Sequence, residues 1–192
     1  MELIDKIKED LKNTLSERRY IHSLGVMEMA VELAKIYNVD EKKAELAGLL
    51  HDNAKEMTPE ELLKYVDDNN IKISEVERIN TKILHGKVGA DIAKKKYGVS
   101  KEIQEAIEYH TTTNPNMTTL DKIVFVADKI ELNRKSATYD IESERELAKK
   151  DLDGAVIFII NSNITSLIQN DKLINEESIN TRNKLIIERM KK

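Results

Sequence analysis

The stretch GLLHDNAKEM, residues 48–57, ends an apolar helical segment with a histidine and an aspartate side by side. The chain contains only four histidines, so the position of His51 directly before Asp52 calls for a physical reason. Lys55 follows Asp52 by three residues and adds a cation to the same short segment. An imidazole, a carboxylate and an ammonium group at the end of one buried helix indicate a chemical role for this segment.

The residues around this stretch predict helices along most of the chain. Apolar residues recur at spacings of three and four, glycine and proline number only six and two, and no stretch alternates with a period of two. Thr58, followed by Pro59 and by Glu61 at the third helical position, is a typical helix start. The predicted helices cover residues 3–15, 18–37, 41–50, 59–68, 75–95, 101–110, 119–132, 143–168 and 178–190, with the longest loops at 111–118 and 134–142. We therefore predict an all-α fold that forms a single domain over residues 1–192.

The composition limits the classes of function. With 40% hydrophobic and 34% charged residues, the chain can build a core and a well-solvated surface. A net charge of −4 and a pI near 5.7 argue against general nucleic-acid binding. The longest purely apolar run, AVIFII at 155–160, is too short to span a membrane, and there is no secretory signal and no cysteine. We expect a cytoplasmic protein that binds neither nucleic acid nor membranes, with its oligomeric state open and a homodimer among the options.

All four histidines and two aspartates fall on the buried sides of the predicted helices. His22 lies four and seven residues before Val26 and Met29, and Asp128 lies four residues after Val124. The other histidines and Asp52 are likewise predicted to point toward the interior. The complete inward set is His22, His51, Asp52, His85, His110 and Asp128.

This inward set predicts a metal site. One buried histidine is usually a hydrogen-bonded core residue, and one buried carboxylate usually pairs with a lysine or arginine. Six buried ionisable groups together would be costly without partners, and one divalent cation can compensate them. Imidazole and carboxylate donors without thiolates suit iron, manganese, cobalt, nickel or zinc. The residues alone leave open whether they hold one ion or two.

The order of these residues resembles the HD-domain superfamily of metal-dependent phosphohydrolases, in which a His-Asp pair ends a helix. A closer resemblance is to the YqeK family of symmetrical bis(5′-nucleosyl)-tetraphosphatases. The segments that carry it are RRYIHSLGV (18–26), AGLLHDNAKEM (47–57), LHGKVGA (84–90), AIEYHTTTNPNMTTLDKIVFVADKIELNR (106–134) and TRN (181–183). The resemblance implies a helical fold with a metal-binding core at about residues 18–134, completed by C-terminal helices. It also implies cleavage of diadenosine tetraphosphate into two ADP.

The resemblance also implies roles for individual residues. Iron would be held by His22, His51, Asp52 and Asp128. His85 and His110 would hold a second metal or contact phosphate. A nucleotide diphosphate would be contacted by Arg19, Lys55, His85, Thr111 and Arg134. The complete set expected near the substrate is Arg19, His22, Asp52, Lys55, His85, His110, Thr111, Asp128 and Arg134, and we expect catalysis to depend on Asp52, Asp128 and Lys55.

Two positions depart from the family pattern. Asn53 stands where the family usually has an aromatic residue after the His-Asp pair, and Thr113 stands where it usually has glycine. Both positions border the expected site, so they bear on substrate recognition more than on the metal.

Three other functions compete with this hypothesis. The protein could be an HD-domain hydrolase of another nucleotide, or a nucleotide sensor that binds without turnover. It could also be a structural protein stabilised by a metal. The six intact ionisable residues argue against a sensor, and the neighbouring basic residues argue against a purely structural metal.

Overall fold

The structure of the protein is a computed structural model that describes residues 3–134 and 140–191. Within these ranges the secondary structure consists of eleven α-helices and one short 3₁₀ turn, without a β-strand. The helices are α1 (Leu3–Thr14), α2 (Glu17–Ile36), α3 (Glu41–Leu50), α4 (Pro59–Asp68), α5 (Glu75–Ile79), α6 (His85–Tyr97), α7 (Lys101–Thr112), α8 (Thr119–Ile130), α9 (Ile141–Lys150), α10 (Leu152–Gln169) and α11 (Glu176–Met190). The all-α prediction is confirmed. Most of the predicted loop at 134–142 lies outside the described residues.

The predicted helix over residues 75–95 is wrong, because the chain is interrupted there. A capping box formed by Ser74 and Glu77 starts the short helix α5, and Asn80 leaves the helical region with φ −96° and ψ 69°. A 3₁₀ turn (Thr81–Ile83) follows, and α6 begins at His85. Asparagine favours helix ends over helix interiors, since its side chain competes for backbone hydrogen bonds. The interruption places His85 in the first turn of a new helix.

The predicted helix over residues 143–168 is also wrong as a single element. The backbone breaks at Asp151, with φ −149° and ψ 87°, which separates α9 from α10. The Asp151 carboxylate accepts a hydrogen bond of 2.9 Å from the backbone N–H of Gly154 and so caps the start of α10. The other seven predicted helices agree with the structure to within two residues at each end.

The centre of the fold is built by α2, α3, α7 and α8. Helix α2 packs against α3 and α8, and α7 packs against α3, α6 and α8. Helices α2 and α3 cross closely at Gly48, where an added Cβ would lie 2.9 Å from the Cα of Met27. Leu33, Ile107 and Phe125 are among the fully buried residues of this core. The core therefore holds in place the helices that carry the histidines and aspartates of interest.

Helix α10 is, among the described residues, the one helix long and apolar enough to cross a membrane by length and composition alone. A core helix of a water-soluble protein passes the same test. One face of α10, including Ala155, Val156 and Ile159, is buried in the main core. Helices α8, α9 and α11 pack around it. Its apolar character is thus partly explained by its position against the core.

Helix α11 closes the fold next to the turn that follows α7. Ser178 Oγ donates a hydrogen bond of 3.3 Å to the carbonyl of Thr112. The TRN segment (181–183) lies inside α11, which starts five residues earlier, so it is not the start of the last helix. Thr181 is buried, whereas Arg182 donates to the side chain of Asn161.

Candidate metal centre

Five different parts of the chain bring the six predicted ionisable groups together. His22 projects from α2, His110 from α7 and Asp128 from α8. His51 and Asp52 follow the end of α3, and His85 begins α6. All six are buried, with His51 completely inaccessible to solvent, as the apolar spacing predicted. Two groups of ligand atoms lie close enough to hold a metal ion: His22, His51 and Asp128, and His51, Asp52 and His110.

All four imidazole rings are held in the same tautomer. Each Nδ1–H donates to an acceptor that has no proton to give: a backbone carbonyl for three histidines and a carboxylate for the fourth. The pairs are His51 with Gly48 O at 2.7 Å, His85 with Lys82 O at 2.6 Å, His110 with Ile107 O at 2.6 Å, and His22 with Glu131 Oε1 at 3.1 Å. In each neutral ring the lone pair of Nε2 therefore points into the centre, ready to bind a cation.

One side of the centre, which we call the His22 face, lies around Asp52 Oδ2. The Nε2 atom of His22 lies 3.0 Å from Asp128 Oδ1 and 3.8 Å from Asp52 Oδ2. The Nε2 atom of His51 lies 3.4 Å from Asp52 Oδ2 and 3.7 Å from Asp128 Oδ1. Ligands about 2.1 Å from one ion would be about 3.0–3.4 Å apart, so the four atoms are spaced much as around a metal. His51 Nε2 has no hydrogen-bond partner among the described residues. These residues fit a divalent cation.

The other side, the His85 face, lies around Asp52 Oδ1. The Nε2 atoms of His85 and His110 lie 3.1 Å and 3.5 Å from this oxygen and 3.1 Å from each other. Lys55 Nζ lies 3.1 Å from His85 Nε2 and 4.0 Å from Asp52 Oδ1. The ammonium group can donate to the bare nitrogen of His85. A cation from the protein itself therefore stands on this face.

Burial and charge act differently on the titrating groups of the centre. Burial opposes ionisation of Asp52 and Asp128, but neighbouring imidazoles and, for Asp128, the charge of Lys129 hold both pKa values well below the ordinary range. Burial lowers the pKa of His110 to about 4 and also lowers that of His85. Burial alone would lower the pKa of His22, yet the carboxylates of Asp128 and Glu131 raise it. The carboxylates thus stay ionised and favour a positive charge between them, whether proton or metal.

The three basic residues predicted to contact phosphate all border the centre. Arg19 Nη1 lies 2.6 Å from Asp52 Oδ2, and Arg134 Nη1 lies 3.7 Å from Asp128 Oδ1. Lys55 occupies the His85 face. Thr111 lies nearby, but its hydroxyl donates to the carbonyl of Ile83 at 3.2 Å, so donation to a substrate would require exchange of that hydrogen bond.

Two functional residues were missed by the sequence reasoning. Lys129 forms a close ion pair with Asp128. Glu131 bridges two parts of the centre: Oε1 accepts from His22 Nδ1, and Oε2 accepts from the backbone N–H of Asn133 at 2.6 Å. Gly25 leaves the space for this carboxylate, since a Cβ there would collide with it. Both residues lie in the quoted motif VADKIELNR, and their polar character on a buried segment was the available signal.

The end of α8 is fixed from outside by Arg145. This buried arginine donates from Nε to the carbonyl of Ile130 and from Nη2 to the carbonyl of Glu131, both at 2.7 Å. Arg145 lies on α9, on the far side of the residues that the structure does not describe. Helix α9 therefore helps to position the segment that carries Asp128, Glu131 and Arg134.

The two departures from the family pattern have distinct structural settings. Asn53 Nδ2 donates to the carbonyl of Gly89 at 3.1 Å, whereas its Oδ1 is buried without a partner among the described residues. Thr113 adopts φ 58° and ψ 175°, a backbone conformation that strongly favours glycine. Asn53 thus ties the His-Asp segment to α6, and Thr113 ends α7 in a strained turn.

Comparison with known proteins agrees with this centre. The family model described as HD domain matches residues 19–133. Proteins named bis(5′-nucleosyl)-tetraphosphatase, symmetrical, from Halalkalibacterium halodurans and Bacillus subtilis are 38% and 37% identical to this chain. The alignments cover 93% and 92% of this chain and 94% of each relative.

A solved structure is also closely similar. It is described as a predicted HD superfamily hydrolase involved in NAD metabolism from Clostridium acetobutylicum. It superposes with a TM-score of 0.92 at 38% identity, over 96% of this chain and 97% of the other. The matched fold, the matched family model and the convergent histidines and aspartates agree: the chain belongs to the HD-domain family, in the group of relatives named symmetrical bis(5′-nucleosyl)-tetraphosphatases.

Proposed function

We propose that the protein hydrolyses dinucleoside tetraphosphates at a metal centre and cleaves diadenosine tetraphosphate into two ADP. The observation that carries this proposal is the convergence of imidazole lone pairs on two buried carboxylates, bordered by cationic side chains. The relatives named symmetrical bis(5′-nucleosyl)-tetraphosphatases support both the substrate and the symmetrical cleavage. We also propose that it acts in the cytoplasm.

The proposed cofactor is one divalent transition metal held by His22, His51, Asp52 and Asp128. When bound, such an ion lowers the pKa of a water molecule and polarises a phosphoryl oxygen. The nitrogen and oxygen donors fit iron, which the family resemblance implies, and also manganese, cobalt, nickel or zinc. A second ion bound through His85 would have the ammonium group of Lys55 beside it, since Lys55 Nζ lies 3.1 Å from His85 Nε2. We therefore assign His85 and His110 to contact with phosphate.

The basic residues around the centre would bind the phosphate bridge. The chain is acidic overall, so the charge of a polyphosphate has to be offset locally. Arg19 and Arg134 adjoin the carboxylates of the His22 face, and Lys55 stands on the His85 face. A tetraphosphate that crosses the centre would meet a cation on each side. Asp52 and Asp128 act by holding the metal, and Lys55 by neutralising charge that develops in the transition state.

The reaction consumes one water molecule. Its oxygen bonds to phosphorus while the bridging P–O bond between the second and third phosphates breaks. One ADP gains the oxygen of water and the other retains the bridging oxygen. The two protons of the water pass to solvent when the terminal phosphates of both products are fully ionised. The arginines and Lys55 would orient the bridge so that this bond lies over the metal ligands, in line for attack.

Early products and metal content test the proposal together. Protein purified without chelator should contain about one transition metal ion per chain, and diadenosine tetraphosphate should give ADP as its only nucleotide product. Chelation should abolish turnover and lower the melting temperature, and added Fe²⁺ or Mn²⁺ should restore both. Equal early amounts of ATP and AMP, resolved by ion-exchange chromatography, would refute symmetrical cleavage. Full activity of metal-free protein would refute the metal dependence.

Hydrolysis of a different nucleotide is the second candidate. The solved relative from Clostridium acetobutylicum is described as involved in NAD metabolism, which favours another dinucleotide. A panel of dinucleoside polyphosphates, NAD, and nucleoside triphosphates and monophosphates, assayed with the same metal, separates the candidates by kcat/KM. A protein that binds these nucleotides without cleaving any of them would instead be a sensor.

A further inference from the structure

A cavity of about 760 Å³ opens beside His22 at the edge of the metal centre. Its lining includes Arg18, Arg19, Ile21, His22, Asn133 and Arg134, from the start of α2 and from the segment after α8. Small-molecule sites commonly enclose about 300–1,000 Å³, so one nucleotide fits in this volume. The family resemblance implies that Arg19 and Arg134 contact phosphate, and it implies no role for Arg18, Ile21 or Asn133.

The two carboxylate oxygens of Asp52 face opposite sides of the centre, and the cavity lies on the side of Oδ2. Oδ2 lies 2.6 Å from Arg19 Nη1, which lines the cavity. Oδ1 lies 3.1 Å from His85 Nε2, on the face where Lys55 stands. A phosphate bridge that crosses the centre therefore has Lys55 and His85 at one end and this cavity at the other.

The lining chemistry suits a nucleotide. Arg18 is exposed and makes no hydrogen bond or ion pair with any residue in 3–134 or 140–191. Ile21, one turn along α2, presents an apolar side chain that is 45% exposed. Glu131 is engaged by His22 and Asn133, so Glu17 at the rim is the acid that offsets the arginines. A guanidinium without a partner beside an exposed apolar side chain offers contacts to phosphate and to a nucleoside.

We infer that this cavity holds the second nucleoside diphosphate of the substrate. The inference rests on the proposed function and names the site for the half that lies beyond the cleaved bond. Arg18 contacts the outer phosphate of that half, and Ile21 packs against its nucleoside. Arg19 and Arg134, which adjoin the carboxylates of the centre, contact the phosphates on either side of the cleaved bond.

Two substrates that differ only in the second nucleoside test the inference. Diadenosine tetraphosphate and adenosine 5′-tetraphosphate share the bridge, and cleavage at the same bond gives two ADP or ADP and pyrophosphate. Ile21→Asn should lower kcat/KM for the dinucleotide about tenfold and leave adenosine tetraphosphate within about twofold, since this change adds no charge beside the phosphates and only the dinucleotide places a nucleoside against this side chain. Arg18→Ala should lower kcat/KM for both substrates about tenfold, because both retain the phosphates.

The matched control is Arg78→Ala. It removes an exposed arginine of α5 that pairs with Asp67, and both substrates should react as in the wild type. Thermal unfolding of each variant shows that the fold is retained. Wild-type rates in Arg18→Ala with an unchanged substrate ratio in Ile21→Asn would overturn the inference and leave the proposed function intact. Failure of the wild-type protein to cleave either tetraphosphate would overturn the proposed function, and the inference with it.

Discussion

The two carboxylate oxygens of Asp52 have different neighbouring groups, although each lies near two imidazole rings. On the His22 face, Oδ2 approaches the Nε2 atoms of His22 and His51 together with the carboxylate of Asp128. On the His85 face, Oδ1 approaches the Nε2 atoms of His85 and His110 together with the ammonium group of Lys55. Each face also meets a cation, since Arg19 Nη1 lies 2.6 Å from Oδ2 and Lys55 Nζ lies 4.0 Å from Oδ1. Among the described residues, the His22 face differs by adding a second anion, Asp128, to the imidazoles.

This difference indicates a division of labour between chemically similar histidines. Two carboxylates and two bare nitrogens create a place for a metal, because a cation compensates all four. We propose that two bare nitrogens beside an ammonium group, without a second carboxylate among the described residues, favour phosphate over a second metal. In this proposal the role of each histidine depends on whether a second carboxylate lies next to it.

The largest effect is expected for removal of a ligand from the His22 face. Asp128→Ala should purify without bound metal and lose more than about a hundredfold in kcat, because an anionic ligand is lost outright. His110→Ala, a matched change on the His85 face, should retain its metal. Metal analysis of protein purified without chelator measures the difference. Equal loss of metal in both variants would show that the two faces form one shared site and would break the comparison.

A smaller effect is expected for the residue that supports His22. Glu131 accepts the Nδ1–H of His22 and so orients its Nε2 toward the metal position. Glu131→Ala should weaken metal binding by about 10–100-fold, as is typical when the partner of a ligand histidine is removed. Glu131→Gln, which keeps an acceptor, should recover part of the affinity.

Competition with a chelator of known affinity for Mn²⁺ or Co²⁺ measures this change without reference to turnover. Glu188→Ala is the control, since Glu188 is an exposed glutamate on α11 that pairs with Lys184. Wild-type affinity in Glu131→Ala would mean that His22 keeps its orientation without this hydrogen bond.

On the His85 face, Lys55→Ala should leave the metal in place and impair the substrate. We expect kcat/KM to fall by a factor that corresponds to a loss of roughly 1.5–3 kcal/mol in binding or transition-state stabilisation, the value of a hydrogen bond from a charged group. Lys55→Arg should retain part of the activity. Lys64→Ala removes an exposed lysine that pairs with Asp68 and serves as the control for charge. Wild-type kcat/KM in Lys55→Ala, or two metal ions per wild-type chain, would contradict the role given to Lys55.

Glu144 is a buried carboxylate outside the centre, and its pKa can be compared with those of Asp52 and Asp128. Its Oε2 has no hydrogen-bond partner among the described residues, and burial raises its pKa to about 7, the reverse of Asp52 and Asp128. A raised carboxyl pKa gives a contribution to stability that is present below the unfolded pKa of about 4.5 and is lost as pH rises through about 7. Glu144→Gln should therefore gain stability relative to wild type between pH 5 and pH 8.

Thermal unfolding at the two pH values measures this gain. We expect the difference in Tm between Glu144→Gln and wild type to rise by about 2–4 °C for each kcal/mol that the variant gains in free energy of unfolding relative to wild type. Glu146→Gln, an exposed change on the same helix beside Lys149 and Lys150, should show no such rise. A constant difference for Glu144→Gln would mean that Glu144 titrates normally in the folded protein.

The fold class, most helix boundaries and the six central residues could be predicted from the amino-acid sequence. These properties follow from local rules: the period of the apolar residues defines a buried face, and residues such as Thr58 and Pro59 define helix starts. The six residues stood out because ionisable groups on buried faces are costly without a partner. The resemblance to a known family then added expected roles for Arg19, Lys55 and Arg134.

Which of these groups lie next to one another depends on how the helices pack. Helical spacing states which way a side chain points but not which helices approach one another, so the two faces of Asp52 were not predictable. The breaks at Asn80 and Asp151 arise where side-chain capping competes with helix continuation, and apolar periodicity does not record that competition. Glu131 supports His22 across 109 residues of chain, a contact that depends on how α2 packs against α8. The proposed division between a metal face and a phosphate face is therefore a property of packing, because it depends on where the fold places Asp128 and Lys55 relative to the histidines.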